Sequence, residues 1–194
     1  RIVAVEYRLI EDFYRLLNWS KGFIQFNGLI GVLDGKILAK DRLREDVKCE
    51  DTEFTERIYL RGKRTALTKK TIVGEQAALT WLELYRQRVR WYTGAYEGLR
   101  LYLSSFLKSK LPGRRKFSWL AQVALPFFIV IFIPLIPLYA ARIWELSGSV
   151  RDFLERFLGA LFYVFLLQLC GVTVIIKKLA GGEVIWCQMQ RSDV

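Results

Sequence analysis

The sequence predicts an α/β head followed by a hairpin of two membrane-spanning helices. Patterns typical of helices and of strands alternate over residues 1–107, which favours an α/β domain. Two apolar runs follow within residues 117–178, each close to the roughly 20 residues that cross a bilayer. Positive charge precedes these runs: residues 1–116 hold 24 Lys/Arg and 14 Asp/Glu, whereas residues 117–194 hold 6 and 5.

The head opens with a predicted helix from Ala4 to Trp19, where apolar residues recur at helical spacing. The run from Phe23 to Leu33 predicts a strand, and its glycines, Gly28 and Gly31, indicate a bulge or a close backbone approach. The next predicted elements are a short helix over 37–43, a helix from Glu50 to a glycine stop at Gly62, and strands over 64–67 and 71–73. A long helix over 78–107 completes the head. Its aromatic and arginine side chains favour a position along a membrane surface.

The two apolar runs predict helices over residues 118–142 and 157–176. A basic linker, residues 108–116, precedes the first helix, and two lysines at 177–178 follow the second. Because the more basic flanks belong on the inner side, we expect a multi-pass protein of the cell membrane with a cytoplasmic head that contacts membrane lipids. The alternative is a buried helical core of a soluble protein. Residues 179–194 form a tail.

Composition excludes several kinds of chemistry for this chain. It has no histidine, so histidine metal triads, Ser-His-Asp catalysis and Cys-His catalysis are excluded. Its three cysteines are far apart, which implies no disulfide framework. The net charge of +11 favours an anionic partner: nucleotide phosphates, acidic lipid headgroups or nucleic acid. Of these, the basic linker favours lipid contact over nucleic acid.

A chemically distinctive motif, Gln-Arg-Val-Arg-Trp, occupies residues 87–91 within the long predicted helix. Gln87, Arg90 and Trp91 are three and four positions apart, so they share one helix face. An amide, a guanidinium and an aromatic plane suit a sugar that carries a pyrophosphate, because guanidinium binds phosphate oxygens in a planar fork. Arg90 and Arg88 could neutralise a leaving diphosphate. The alternative is an amphipathic helix whose arginines point to water.

Two acids, Glu50 and Asp51, begin the predicted helix that ends at Gly62. Carboxylates are favoured there by the helix dipole, so a purely structural role is one interpretation. The other is that Asp51 is a general base, which removes the proton of an acceptor hydroxyl as that hydroxyl attacks a sugar. No Asp-x-Asp metal motif occurs, so no metal ligand is assigned within the chain.

Taken in order, these motifs resemble the membrane-bound glycosyltransferase family 2, which includes cellulose, hyaluronan and chitin synthases. The matching features are Gly-Leu-Ile-Gly-Val at 28–32, Glu-Asp-Thr-Glu at 50–53, Arg-Gly-Lys at 61–63, Gln-Arg-Val-Arg-Trp at 87–91 and the apolar run that follows. The resemblance implies the carboxy-terminal half of a nucleotide-sugar glycosyltransferase domain of type A, with an α/β fold, followed by the transmembrane hairpin.

The resemblance also implies roles for residues. Asp51 is expected to be the catalytic base with Glu50 in support, and Gln87, Arg88, Arg90, Trp91 and Gly28 are expected to bind substrate. The donor is expected to be a nucleotide-sugar, and the acceptor a growing polysaccharide or a lipid. The ligands of the Mg²⁺ or Mn²⁺ cofactor are expected ahead of residue 1.

A hypothesis of a different class stays open. The chain could be a non-catalytic, membrane-anchored basic module that binds acidic lipids or nucleic acid. Asp51 distinguishes the two hypotheses, because an electrostatic tether gains nothing from an acid opposite its basic face.

Overall fold

The computed structural model describes residues 2–26, 28, 31–68, 77–128 and 136–182, and within them the regular structure is helical. The helices are α1 (Ile2–Trp19), α2 (Gly35–Lys40), α3 (Glu50–Leu60), α4 (Trp81–Lys108), α5 (Gly113–Ala124), α6 (Ile136–Glu145) and α7 (Val150–Leu179), with a 3-10 helix over Leu125–Phe127. No strand occurs in these described ranges. The prediction of an α/β head of the type A kind is therefore wrong for this part of the chain.

The predicted strand at 23–33 fails because side chains, and not a second strand, bind its backbone. The amide of Phe23 donates to Ser118 Oγ at 2.9 Å, and the amide of Phe26 donates to Thr55 Oγ1 at 2.9 Å. A strand needs a ladder of backbone partners, and hydroxyl groups satisfy these donors instead. Residues 22–26 are consequently a non-helical segment that lies against α3 and α5.

The segment at 64–67, also predicted as a strand, is irregular for the same reason. The amide of Leu67 donates to the Asn18 side-chain oxygen at 3.2 Å, and Thr65 Oγ1 donates to the Ile24 carbonyl. These contacts join the segment to the end of α1 and to the segment after it. The predicted strand at 71–73 lies outside the described residues.

Local capping explains where the long helices begin. The Thr80 side chain accepts from the Glu83 amide at 3.2 Å, and the Glu83 carboxylate accepts from the Thr80 amide at 3.2 Å, which is a capping box. Ser149 Oγ accepts from the Asp152 amide at 3.2 Å at the start of α7. The helix α4 thus begins three residues after the start of the long helix predicted over 78–107 and covers the rest of it, and α7 contains the predicted span 157–176.

Glycines on one face of α4 allow α3 to approach closely. A Cβ on Gly94 would lie 2.5 Å from the Cβ and 2.6 Å from the Sγ of Cys49, and a Cβ on Gly98 would clash with both carboxylate oxygens of Glu56. Residues four apart lie on the same helix face, so the two glycines form one shallow strip. The contact fixes α3, and the acids at its start, against the middle of α4.

Arg115 and Lys116 are the last two residues of the predicted basic linker, and both bind backbone carbonyls. Arg115 donates to the carbonyls of Gly62 at 3.3 Å and Lys63 at 2.7 Å, just after α3, and its Cζ lies 4.0 Å from the Tyr59 ring centroid. Lys116 Nζ donates to the Leu107 carbonyl at 2.8 Å, near the end of α4. Cations near helix C-termini are favoured by the dipole, so these residues hold α5 against the ends of α3 and α4.

The membrane prediction changes in its first helix. Over the predicted span 118–142, α5 ends at Ala124, a 3-10 helix containing Pro126 follows, and α6 begins at Ile136, while residues 129–135 lie outside the described set. In the described ranges, α7 alone has the length and hydropathy to cross a bilayer. The structure therefore does not support a multi-pass arrangement.

We expect Gly94→Ala to lower the thermal unfolding midpoint of the detergent-solubilised protein. Alanine favours a helix over glycine by about 1 kcal/mol, but overpacking a tight contact costs roughly 1–3 kcal/mol and leaves a net loss. Gly113→Ala is the matched control, because a Cβ at Gly113 meets no atom within 4 Å. Equal midpoints for the two variants would contradict the proposed tight contact.

Candidate functional site

Asp51 lies in the first turn of α3 with its carboxylate half exposed. Its Oδ1 accepts from the amide of Thr52 at 2.7 Å and from the Thr52 hydroxyl at 3.3 Å. Its Oδ2 accepts from the amide of Gly28 at 3.0 Å. These bonds hold the carboxylate in one orientation, and Oδ2 keeps a free lone pair that could receive a proton.

Gly28 lies directly against Asp51. A Cβ at Gly28 would lie 3.3 Å from Asp51 Oδ2, so a larger residue would press on the carboxylate. The preceding residues bind the same turn of α3: Gln25 Nε2 donates to Thr52 Oγ1 at 2.5 Å. Residues 25, 26 and 28 therefore lie against the first two turns of α3.

Cys49 connects the acids of α3 to Arg90 on α4. The buried Cys49 thiol donates to the Arg90 carbonyl at 3.7 Å. Burial raises the pKa of this thiol to about 12; the nearby Arg90 guanidinium opposes the rise, and the Asp51 and Glu50 carboxylates add to it. The thiol bond therefore links the residue that precedes the two predicted acids to the backbone of the predicted cation. Glu50 itself is exposed.

Arg88, the fully buried member of the motif, joins three helices. Its Nε donates to the Tyr163 hydroxyl at 2.7 Å, and its NH2 group forms an ion pair with Glu6 at 2.5 Å. Its NH1 group donates to Gln87 Oε1 at 2.9 Å, and its Cζ lies 3.9 Å from the centroid of the Trp91 ring. Burial opposes its charge, but the Glu6 carboxylate and the Tyr163 oxygen outweigh burial and raise the pKa of Arg88 above its usual value.

Convergence of the site residues is partial. In the residues that the structure describes, no hydrogen bond or ion pair joins Asp51 to Gln87, Arg90 or Trp91. Two surface hollows lie elsewhere. One is lined by Arg44, Asp46, Val47, Glu97, Arg100 and Leu101, and the other by Ser149, Arg151, Asp152, Glu155 and Arg156. Residues 29–30, which follow Gly28, and residues 69–76, which lie between α3 and α4 in sequence, are outside the described set.

Two polar side chains that join α1 to α5 were not predicted as site residues. Gln122 Nε2 donates to the Tyr14 hydroxyl at 3.1 Å, which joins α5 to α1. Burial raises the pKa of Tyr14 to about 12, the bond from Gln122 opposes the rise, and the Asp51 carboxylate adds to it. Gln122 Oε1 is buried without a hydrogen-bond partner in the described ranges. The sequence did contain one signal for Gln122, because it is the single strongly polar residue in the first apolar run.

Behind Asp51, α3 buries two further acids. Glu53 accepts from Arg57 Nε at 2.9 Å and from the Tyr102 hydroxyl. Glu56 Oε1 accepts from Trp119 Nε1 at 3.1 Å, while its Oε2 is buried without a partner among the described residues. Burial raises the pKa of Glu56 to about 8; the bond from Trp119 opposes the rise and the Glu53 carboxylate adds to it.

No group of three Asp, Glu or Cys side chains within the described residues could hold a metal ion. After Glu50 and Asp51, the next acid along α3 is Glu53. Its oxygens accept from Arg57 and Tyr102. Among the residues that the structure describes, none therefore forms a site for a divalent metal. The Mg²⁺ or Mn²⁺ that the resemblance implies stays a prediction.

Comparison with protein families decides the class. The family model described as glycosyl transferase family group 2 matches residues 32–174, which is more than half of the chain. This chain belongs to glycosyl transferase family group 2. The matched range contains Glu50, Asp51 and the whole motif at 87–91. Comparisons with curated proteins and with solved structures gave no match.

Membership in glycosyl transferase family group 2 makes the protein a glycosyltransferase that binds a nucleotide-sugar donor and an acceptor. The matched range begins at Val32 and ends in α7, so it spans the α3–α4 contact and most of the apolar helix. The family does not select among polysaccharide synthases, so the sugar and the acceptor remain to be proposed.

We expect the free energy of unfolding of this glycosyltransferase to fall as pH rises from about 4.5 to about 8, because of Glu56. Folded Glu56, with a pKa of about 8, keeps a proton that the unfolded glutamate loses above its ordinary value of 4.5. The dependence of one such group reaches about 1.4 kcal/mol per pH unit. Glu56→Gln should remove it, so the variant should gain stability over the wild type as pH rises.

Thermal unfolding of the detergent-solubilised protein between pH 5 and pH 9 measures this difference. Glu45→Gln is the control, because Glu45 is exposed and its loss leaves the buried group intact. A constant difference between Glu56→Gln and wild-type midpoints across this range would refute a raised Glu56 pKa.

Proposed function

We propose that this protein is an inverting, membrane-associated glycosyltransferase that transfers a hexose from a nucleotide-sugar to a growing polysaccharide or a lipid-linked acceptor. Asp51 is the general base, with Glu50 in support. Gln87, Arg90, Trp91 and Gly28 contact substrate. The observation that carries the proposal is the position of the Asp51 carboxylate. The Gly28 and Thr52 amides fix it at the start of a family-matched helix, whose N-cap, Cys49, contacts Arg90 of the motif at 87–91.

The proposed step uses one carboxylate and one cation. Asp51 accepts the proton of an acceptor hydroxyl, and the acceptor oxygen attacks the anomeric carbon as the bond from that carbon to the diphosphate breaks. Attack opposite the leaving group inverts the carbon. The nucleoside diphosphate departs with the bonding electrons, and its negative charge is stabilised by the Arg90 guanidinium. Arg90 suits this role because it is partly exposed and its backbone carbonyl accepts from the thiol of Cys49, the residue before the acids of α3.

The aromatic plane of Trp91 suits the acceptor sugar. Its indole is partly exposed, and its ring rests on the Arg88 guanidinium, so one ring face is already supported by protein. Sugars present flat C–H faces that pack on aromatic rings. A polysaccharide acceptor fits this arrangement, as in the polysaccharide synthases that the motif resembles, and a lipid-linked sugar offers the same kind of surface.

We infer a membrane location from the outer face of α7. Large apolar residues on that face are exposed, among them Leu154, Leu158, Leu161, Phe162, Phe165, Leu169, Val172 and Ile176. Between Arg156 and Lys177 no residue is charged. Such a continuous apolar face needs a cover, and lipid tails are the cover that a 20-residue uncharged run fits. The basic head then faces the cytoplasm.

Asp51→Asn should lower sugar transfer by about 10²–10⁴-fold, because the amide keeps the volume of the carboxylate but accepts no proton. Membranes from cells that produce the protein are supplied with radiolabelled UDP-glucose, UDP-N-acetylglucosamine or GDP-mannose in turn, and incorporated label is counted. Glu45→Gln, which changes an exposed acid of the preceding loop, should transfer at the wild-type rate. Transfer by Asp51→Asn at the wild-type rate would reject its role as base.

Phe165→Asp/Leu169→Asp should reduce the share of protein that stays in the membrane pellet after alkaline carbonate extraction. Each acid in the centre of an apolar helix costs about 2.5–3.5 kcal/mol on insertion scales. Leu38→Asp/Leu43→Asp is the matched control, because these exposed leucines belong to the head. Equal retention of both double variants would show that lipid does not cover the outer face of α7.

A further inference from the structure

Within the 87–91 motif, the Arg88 side chain points in a different direction from the side chains of the proposed substrate face. Gln87, Arg90 and Trp91 share a helix face, whereas Arg88 turns inward and is 1% exposed. A guanidinium has five donors in a rigid fork and no acceptor. In this protein the fork contacts three oxygens, which belong to Tyr163, Glu6 and Gln87.

The bond to Gln87 is the informative one. Neighbouring residues on a helix point in directions about 100° apart and do not normally face each other. Gln87 nevertheless bends back so that its Oε1 accepts from Arg88 at 2.9 Å. The remaining polar atom of that amide, the NH₂ group, is thereby left to point away from Arg88. One contact of Arg88 therefore fixes the side-chain orientation of a proposed substrate residue.

The contact with Trp91 fixes the orientation of a second proposed substrate residue. The guanidinium carbon of Arg88 lies 3.9 Å from the centroid of the Trp91 ring, which is a close cation–π distance. A flat guanidinium supports an indole over its area, whereas a lysine ammonium is a point charge and supports it poorly. Arg88 itself is held from behind by Glu6 of α1 and Tyr163 of α7.

We propose that Arg88 is a positioning residue of the transfer reaction, which orients the Gln87 amide and the Trp91 indole toward the acceptor and anchors them to α1 and α7. The proposal rests on the proposed function. A purely structural role for Arg88 would be met by its contacts with Glu6 and Tyr163 alone. The contacts with Gln87 and Trp91 give Arg88 an effect on how well the acceptor is placed.

The test measures two products in the same membranes. With a radiolabelled nucleotide-sugar that the wild type uses, incorporated sugar reports transfer, and nucleoside diphosphate released beyond that amount reports hydrolysis of the donor by water. Misplacement of an acceptor by about an ångström lowers transfer by up to roughly 10²-fold. Arg88→Lys should therefore lower the ratio of transfer to hydrolysis about tenfold or more and leave the donor KM within about twofold.

Two further variants make the outcome decisive. Tyr163→Phe removes the hydroxyl that accepts from Arg88 Nε, and it should lower the ratio of transfer to hydrolysis by a smaller factor. If Arg88→Lys does not accumulate, this variant tests the positioning role in its place. Arg86→Lys changes an exposed arginine of the same helix and should leave the ratio unchanged. Immunoblots of the membranes correct for the amount of protein.

Loss of transfer and hydrolysis in equal proportion, with the ratio unchanged in both Arg88→Lys and Tyr163→Phe, would overturn the positioning role while the proposed function stands. Wild-type membranes that transfer no sugar, or Asp51→Asn membranes that transfer like the wild type, would overturn the proposed function and the positioning role together. A selective fall in the ratio supports both.

Discussion

The close approach of α3 to α4 at Gly94 and Gly98 is the constraint on which the site depends. A single methyl group at either glycine would meet Cys49 or Glu56 at impossible distances. Because that space is free, the first turn of α3 lies beside the middle of α4, and the Asp51 carboxylate and the Arg90 guanidinium both act on the Cys49 thiol. On another side of α4, Arg88 binds α1 and α7. One helix thus organises acids, cations and the apolar helix around itself.

The interior of the described residues contains ionisable groups, among them Arg88, Glu53 and Glu56. Burying an ion costs several kcal/mol unless its partners are well placed, and removing one partner of a buried pair costs about 3–5 kcal/mol. Arg88 meets this requirement with three oxygens and an aromatic ring, whereas Glu56 has a single bond and keeps a proton instead. Arg88 contacts two of the proposed site residues, where such electrostatic cost is commonly found.

The sequence predicted the helices better than the connections between them. The capping box at Thr80 and Glu83 and the acids at the start of α3 are local features, so spacing and residue type suffice to locate those helices. The segment at 23–26 was misjudged because its amides bind the hydroxyls of Ser118 and Thr55, which are 95 and 29 residues away in sequence. Partners at that separation leave no periodic trace. For the same reason the motif at 87–91 indicated which residues share a helix face but not that Arg88 would bind Glu6, 82 residues earlier.

The carbonyl contacts of Arg115 and Lys116 alter what the net charge of +11 means for adhesion. A cation that already bonds to peptide oxygens keeps its charge, but fewer of its N–H donors remain for lipid phosphates. Attraction between exposed charges fades beyond about 10 Å at 0.1 M salt, whereas bonds at 2.7–2.8 Å within the protein are scarcely screened. Raising the ionic strength should therefore weaken the attraction of exposed lysines and arginines to anionic headgroups, while leaving the joint between α5 and its neighbours intact.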